Sequence, residues 1–192
     1  VKLPSTVATY CPGSECGRQE VPRAAYTETK ACECGGVRII CSRYEWALID
    51  ALTDELDWRR SRGELDSFRV VEQYPIRTSR FDIRTREERY FTWHFDAGVI
   101  INLPGLGLRC LVEVDGENHY DRQITRDRSK EADAAEGGWA RTGGLYVVRN
   151  HELRPRRDDG GWDWRAAYQV AAELAREMLG RGLDGDMSRR RW

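Results

Sequence analysis

Between positions 111 and 121 the chain reads Leu-Val-Glu-Val-Asp-Gly-Glu-Asn-His-Tyr-Asp, an apolar run that turns abruptly into Glu113, Asp115, Glu117, Asn118, His119 and Asp121. Successive side chains of a strand point to opposite faces, so Glu113 and Asp115 share one side and Val112 and Val114 the other. Two carboxylates at the end of a buried strand are costly unless a cation or an arginine compensates them. Upstream, Trp93-His-Phe-Asp96 leads into a second apolar run, and Leu103-Pro-Gly-Leu-Gly107 supplies a turn that folds it back on the first. The resulting hairpin brings Asp96 near Glu113. Oxygen donors from two neighbouring strands suit Mg²⁺ or Mn²⁺, which takes one or two carboxylates together with waters and a substrate phosphate. A metal held this way polarises a phosphodiester and activates water.

Other residues compete for parts in this chemistry. Asp82, in Arg80-Phe-Asp-Ile83, is a rival first aspartate, but a long apolar strand follows Asp96 directly. His119 is the best candidate general base, because an imidazole exchanges a proton near neutral pH. The competing reading is a histidine that only hydrogen-bonds the strand end or a phosphate. His94 reads as a strand-edge residue and His151 as part of a surface turn.

The elements that must position these groups follow from periodicity. Leu48, Ile49, Leu52 and Leu56 recur at helical spacing after Ser42, a plausible N-cap, and Glu45 stands three residues on, as a capping box requires. Strands are expected at 68–76, within 90–102, and at 108–114 and 145–149. The near-continuous apolar character of 108–114 marks a central strand buried on both faces. A charged helix should cover 121–136 and break at Gly137-Gly138. A last helix, beginning near Trp162, carries Tyr168, Val170, Ala171, Leu174 and Leu179 on one face. Helix, three strands, helix, strand and helix make an α/β fold, a mixed sheet flanked by helices.

Five of the six cysteines crowd into the first 41 residues. Cys11-Pro-Gly-Ser-Glu-Cys16-Gly17 and Cys32-Glu-Cys34-Gly35 form two close pairs, each followed by a glycine that lets backbone amides turn toward sulfur. So short a segment buries little core without a staple, and two such pairs suit tetrahedral Zn²⁺ at Cys11, Cys16, Cys32 and Cys34, with Cys41 as a possible substitute for Cys32 or Cys34. Cys110, inside an apolar run, reads as a small buried residue. Residues 1–41 are therefore expected to form a zinc-binding module, 42–182 the main domain, and 183–192 a basic tail.

At 192 residues the chain holds one domain and a small accessory module. Its formal net charge of −1 argues against a broad positive field that coats nucleic acid. Lys2, Lys30 and Lys130 are the only lysines, so arginine supplies nearly all the positive charge, and its planar fork binds phosphate. Clusters at 77–89, 154–157 and 189–191 could make local phosphate-binding surfaces; solvated ion-paired faces are the plainer reading of each. No run approaches the roughly 20 apolar residues of a membrane span. No secretory signal is evident either, and a cytoplasmic or nucleoid-associated place is expected.

Taken together, Glu45 on a first helix, Asp96 on a strand and Val112-Glu-Val-Asp-Gly-Glu-Asn-His119 resemble the very-short-patch-repair-like branch of the PD-(D/E)XK nuclease superfamily. Glu72-Gln73, Arg126-Asp127-x-x-Lys130 and Leu145-Tyr-Val-Val-Arg149 extend the likeness over nearly the whole chain, and members often carry a cysteine-rich zinc module in front. The resemblance implies a restriction-endonuclease-like fold and metal-dependent hydrolysis of DNA. It assigns Asp96 and Glu113 as Mg²⁺ ligands, Glu45 as an additional acidic group, and Asp115 and His119 to the neighbourhood of the scissile phosphate. The superfamily motif usually ends in lysine, where this chain has Asp115. A nuclease-like protein that binds nucleic acid without turnover is the alternative.

Overall fold

The computed structural model describes residues 6–12, 16–28, 30–115, 129–130, 132–134, 143–153 and 165–184. Contacts divide the chain into two units, Val1–Trp46 and Ala47–Trp192.

In the first unit β1 (Thr6–Cys11) lies between β2 (Gly17–Pro22) and the two-residue β3 (Ile39–Ile40), antiparallel to both. The short helix α1 (Arg23–Glu28) follows β2. Val7, Thr9 and Cys11 alternate as the buried side of β1, so its register delivers Cys11 inward. Strands were not foreseen in this segment. Its few apolar residues leave no alternation long enough to read.

Helix α2 (Arg43–Ser61) begins at a reciprocal capping box: the Ser42 N–H donates to Glu45 Oε1 at 2.8 Å and the Glu45 N–H to Ser42 Oγ at 3.1 Å. Residues 43–46 of this helix belong to the first unit and 47–61 to the second. Leu48, Leu52 and Leu56 are fully buried at the i, i+4 spacing of one helix face.

The second unit is built on a four-stranded mixed sheet in the order β4 (Ser67–Asp82), β5 (Glu87–Leu103), β6 (Leu106–Asp115), β7 (Gly144–Arg149). The first three run antiparallel and β7 lies parallel to β6. Cys110, Leu111 and Val112 are consecutive and all buried, so β6 is covered on both faces, as expected of a central strand. The turn between β5 and β6 is tighter than the five-residue loop read from sequence. Leu103 pairs with Leu106, and Gly105, at φ 79°, takes a conformation that favours glycine.

A short 3-10 turn (Asn150–Leu153) follows β7, and the last described helix, α3 (Arg165–Asp184), buries Ala167, Ala171, Leu174, Ala175 and Met178. Tyr168 on α3 donates its hydroxyl to Asp54 on α2 at 3.1 Å. Of the charged helix expected over 121–136, residues 129–130 and 132–134 are described, and they are helical. The molecule is thus mixed α/β with a four-stranded mixed sheet and helices.

Strands β4 and β5 are longer than the periodicity indicated. They continue as a paired ribbon through the arginine-rich stretch to a tip at residues 83–86. Exposure of both ribbon faces removes the apolar/polar alternation by which a strand is recognised.

Candidate active site and metal centre

The β5–β6 ladder ends at Ala97 and Val112, and Asp96 and Glu113 are the next residue on each strand. Beyond the last pair the Asp96 side chain takes over the ladder's role: the Val114 N–H donates to Asp96 Oδ2 at 2.6 Å. Gln73 Nε2 donates to Asp96 Oδ1 at 3.4 Å. Gln73 is buried and sits at φ 46°, a left-handed conformation that costs a side-chain-bearing residue roughly 1 kcal/mol or more. That local strain accompanies the delivery of its amide to Asp96. Asp96, midway along β5, and Glu113, near the end of β6, therefore lie on neighbouring strands.

Glu113 has a partner that sequence reasoning did not assign to it. Lys130, from the helical residues that follow, donates its Nζ to Glu113 Oε1 in a mostly buried ion pair. The ammonium also stands 4.3 Å from the centre of the Phe95 ring, a cation–π contact. Three residues on, Asp133 ties the same helical stretch to β4 and β5. Its buried carboxylate accepts two hydrogen bonds from Arg80 Nη2, at 2.9 and 2.8 Å, and one from Trp93 Nε1 at 2.6 Å. Beneath these polar contacts Ile76, Phe95, Leu111 and Ala134 form a core cluster against which Tyr74, Trp93 and Leu145 pack.

His94, read as an edge residue, lies close enough to feel this ammonium. Its pKa is lowered from the usual histidine value, first by burial and then by the charge of Lys130. Asp82, the rival aspartate, belongs elsewhere. It pairs in register with Glu87, binds Arg89 at 2.9 Å, and caps the ribbon tip by accepting from the Arg84 and Thr85 N–H groups.

Glu45 spends one carboxylate oxygen on the capping box, and the first unit contains it. Asp115 pairs with Arg149 in the parallel ladder, so its backbone is placed next to Glu113 on β6. His119 and the clusters at 154–157 and 189–191 lie outside the described residues.

Asp96 and Glu113 are hard oxygen donors on neighbouring strands. Mg²⁺ needs no more than one or two such protein ligands, because it retains waters and takes up substrate oxygens.

In the first unit Cys11, Cys16, Cys32 and Cys34 bring their sulfurs within 4.8 Å of one another, and among the described residues they are the only group of three or more potential ligands. Cys11 and Cys34 sulfurs are 3.5 Å apart and those of Cys32 and Cys16 3.6 Å. A tetrahedron with metal–sulfur bonds of about 2.3 Å has edges of about 3.8 Å, so the cluster has the dimensions of a closed tetrathiolate site. Gly36 leaves the necessary room: a Cβ there would come within 3.0 Å of Cys11 Sγ and 3.4 Å of Cys34 Sγ. Gly17 and Gly35 take φ of 52° and 83°, the turns expected after each cysteine pair. Cys41 is not in the group, and its thiol points to the Ile39 carbonyl at 3.7 Å.

Proximity splits the thiols. Cys32 is lowered to about 6, chiefly by the Cys34 backbone amide and against the cost of burial. Cys16 is raised to about 12, first by its hydrogen bond with Cys34 and then by that with Cys32. Sulfurs this close hold one thiolate readily and resist further ionisation, which a dication would reverse. Four close cysteines can thus hold a metal ion, compatible with structural zinc.

Comparison with protein-family models, with curated proteins and with solved structures yields no match. Among the described residues no helix is long and apolar enough to cross a membrane.

Proposed function

We propose that this protein is a metal-dependent DNA endonuclease of the restriction-endonuclease-like kind, with a structural zinc held by Cys11, Cys16, Cys32 and Cys34. The observation that carries the reading is the Glu113–Lys130 ion pair on β6, where the neighbouring strand places Asp96 on the Val114 N–H. The motif of the superfamily that the chain resembles usually ends in lysine, and the strand motif here has Asp115 at that place. Lys130 supplies the ammonium from the following helix.

In this reading Asp96 and Glu113 hold Mg²⁺ or Mn²⁺, which when bound polarises the phosphodiester and lowers the pKa of attacking water. Asp96 is kept in position by the Val114 amide and by Gln73. Lys130, held by Glu113 and over the Phe95 ring, presents positive charge where the scissile phosphate gathers negative charge, the kind of preorganised electrostatic contact that lowers a barrier most. Asp115 and His119 remain candidates for handling the water's proton, and Glu45 for an additional acidic group.

The test is cleavage of supercoiled plasmid in Mg²⁺, in EDTA, and by the Glu113→Ala variant. Nicked or linear product in the first condition alone supports the proposal; equal behaviour in all three overturns it. The Glu113–Lys130 ion pair also suits a second reading, a nuclease-like protein that binds DNA without cutting it. That reading predicts binding without cleavage at any Mg²⁺ or Mn²⁺ concentration.

A further inference from the structure

Strand β5 pairs with β6 only from Ala97 to Leu103. Its preceding residues pair with β4 alone, from Tyr74↔Phe95 out to Asp82↔Glu87, and so make a two-stranded ribbon of nine ladder pairs. At about 3.3 Å per residue the ribbon is about 30 Å long. A lone two-stranded ribbon is marginal in water. The root of this one is secured by Ile76 and Phe95 in the core cluster and by Arg80 and Trp93 on Asp133.

The outer part is held by little more than its own ladder, yet it exposes large apolar side chains: Phe81 is 65%, Ile83 84% and Tyr90 76% exposed. Directly opposed residues of an antiparallel pair share a face. The pairs Arg77↔Thr92, Ser79↔Tyr90 and Phe81↔Glu88 therefore set Arg77, Tyr90 and Phe81 on one side.

Charge follows the same path. Residues 74–95 hold five arginines against three carboxylates, in a chain whose formal net charge is −1. Arg80 is engaged by Asp133 and Arg89 by Asp82. For the side chains of Arg77, Arg84 and Arg86, all exposed, no partner is found among the described residues. Unpaired guanidinium forks alternating with exposed aromatic and aliphatic side chains match the two kinds of surface that DNA offers. The forks suit phosphate oxygens, and the apolar side chains suit base edges and steps. A two-stranded ribbon is also an element that the major groove is wide enough to admit.

We propose that the outer β4–β5 ribbon is a DNA-gripping arm. Arg77, Arg84 and Arg86 sit on the phosphates of a duplex, and Phe81 and Ile83 contact the bases in the groove between them. This rests on the reading of the chain as an enzyme acting on DNA, and it names the element that holds the substrate.

The test is fluorescence anisotropy of a labelled 30-base-pair duplex with the full-length chain in EDTA, over a series of salt concentrations. The proteins compared are the wild type, Glu113→Gln, the triple variant Arg77→Gln/Arg84→Gln/Arg86→Gln, and Phe81→Ser/Ile83→Ser. All the arm substitutions are at exposed positions, and circular dichroism checks that each variant is folded. Each phosphate contact contributes about 0.9 to the slope of log affinity against log salt. The triple variant should therefore bind at least 10-fold more weakly, with a slope smaller by about 2 to 3. Phe81→Ser/Ile83→Ser should weaken binding with little change in slope.

A triple variant with wild-type affinity and slope overturns the proposal, as does a wild type that does not bind. So does a ribbon whose apolar face proves to join two copies of the chain, seen as a dimer in sedimentation that Phe81→Ser/Ile83→Ser splits without loss of DNA affinity. Binding that depends on the arm, with no cleavage by the wild type in Mg²⁺, would leave the arm standing and remove the nuclease reading.

Discussion

Lys130 reaches back from a helix to hold Glu113 at the end of β6, 17 positions earlier in the chain. The residue two places after Glu113 on β6 is Asp115, so the ammonium beside Glu113 enters from a different element. Replacing Lys130 by Gln should lower the Mg²⁺-dependent cleavage rate by about 10²–10⁴-fold. Replacing it by Arg should recover part of that, because positive charge is restored without the same reach. Removing one member of a largely buried ion pair also costs up to about 3 kcal/mol, so denaturant melts must accompany the rates. A Lys130→Gln variant that is folded and fully active would remove this lysine from the site.

Glu45 invites two explanations that substitution can separate. As a capping-box residue it accepts from the Ser42 N–H, a duty that Gln performs as well as Glu. Glu45→Ala should destabilise by about 1 kcal/mol, and Glu45→Gln much less. If Glu45→Gln keeps both stability and plasmid cleavage, the residue serves α2 alone. Loss of cleavage with unchanged thermal stability would give its carboxylate a part in the chemistry.

The cysteine cluster predicts one tightly held zinc per chain, measured by elemental analysis of the purified protein. Strong chelators should strip it and unfold the first unit, seen as loss of amide protection in β1 and β2. Thiolate ligands must lose their protons to bind, so retention should fall as pH drops. Gly36→Ala should weaken binding without removing a ligand, because its methyl would press on Cys11 Sγ.

His94 supplies a pH dependence. Burial and the charge of Lys130 hold its folded pKa below the unfolded value of 6.5. The folded state therefore disfavours protonation there. Its contribution is fully present above 6.5, where the ring is neutral in both states, and declines as pH falls through 6.5 toward the folded pKa. His94→Gln should show a shallower acid loss than the wild type between pH 7 and 5 in urea melts. Parallel curves would show that the ring is not shielded in solution.

Gly143, just before β7, has no space for a side chain. A Cβ there would fall 2.5 Å from Cys110 Sγ and 2.6 Å from the Arg109 carbonyl oxygen, and backbone does not yield cheaply. Gly143→Ala should destabilise the second unit by about 1–3 kcal/mol. Cys110→Ala in the same chain should restore part of this, measured as a double-mutant cycle.

The parts of the fold that could be read from sequence are those with short-range signatures. The Ser42–Glu45 box, the paired cysteines with their glycines, the buried run of β6 and the hairpin that sets Asp96 beside Glu113 all depend on spacings within one or two elements. Lys130 was harder, because its partner lies in another element and a charged helix offers many residues that could turn inward. A clue was available: it is one of three lysines in a chain that otherwise uses arginine. Asp133 was hidden for the same reason. The ribbon was missed because both of its faces meet solvent, although the β-propensity of Tyr90, Phe91, Thr92 and Trp93 hinted at it.

The parallel pairing of β6 with β7 has a consequence for how the molecule is made. Strands β4, β5 and β6 are consecutive hairpins and can zip locally. Strand β7 reaches its place beside β6 only after a crossover of 28 residues, 116–143, has closed. Lys130 lies within that crossover. On a ribosome, the β5–β6 hairpin that carries Asp96 and Glu113 can form while the rest of the chain is still emerging, and β7 can join it only afterwards. Completion of the four-stranded sheet should then be among the last steps in the folding of a newly synthesised chain.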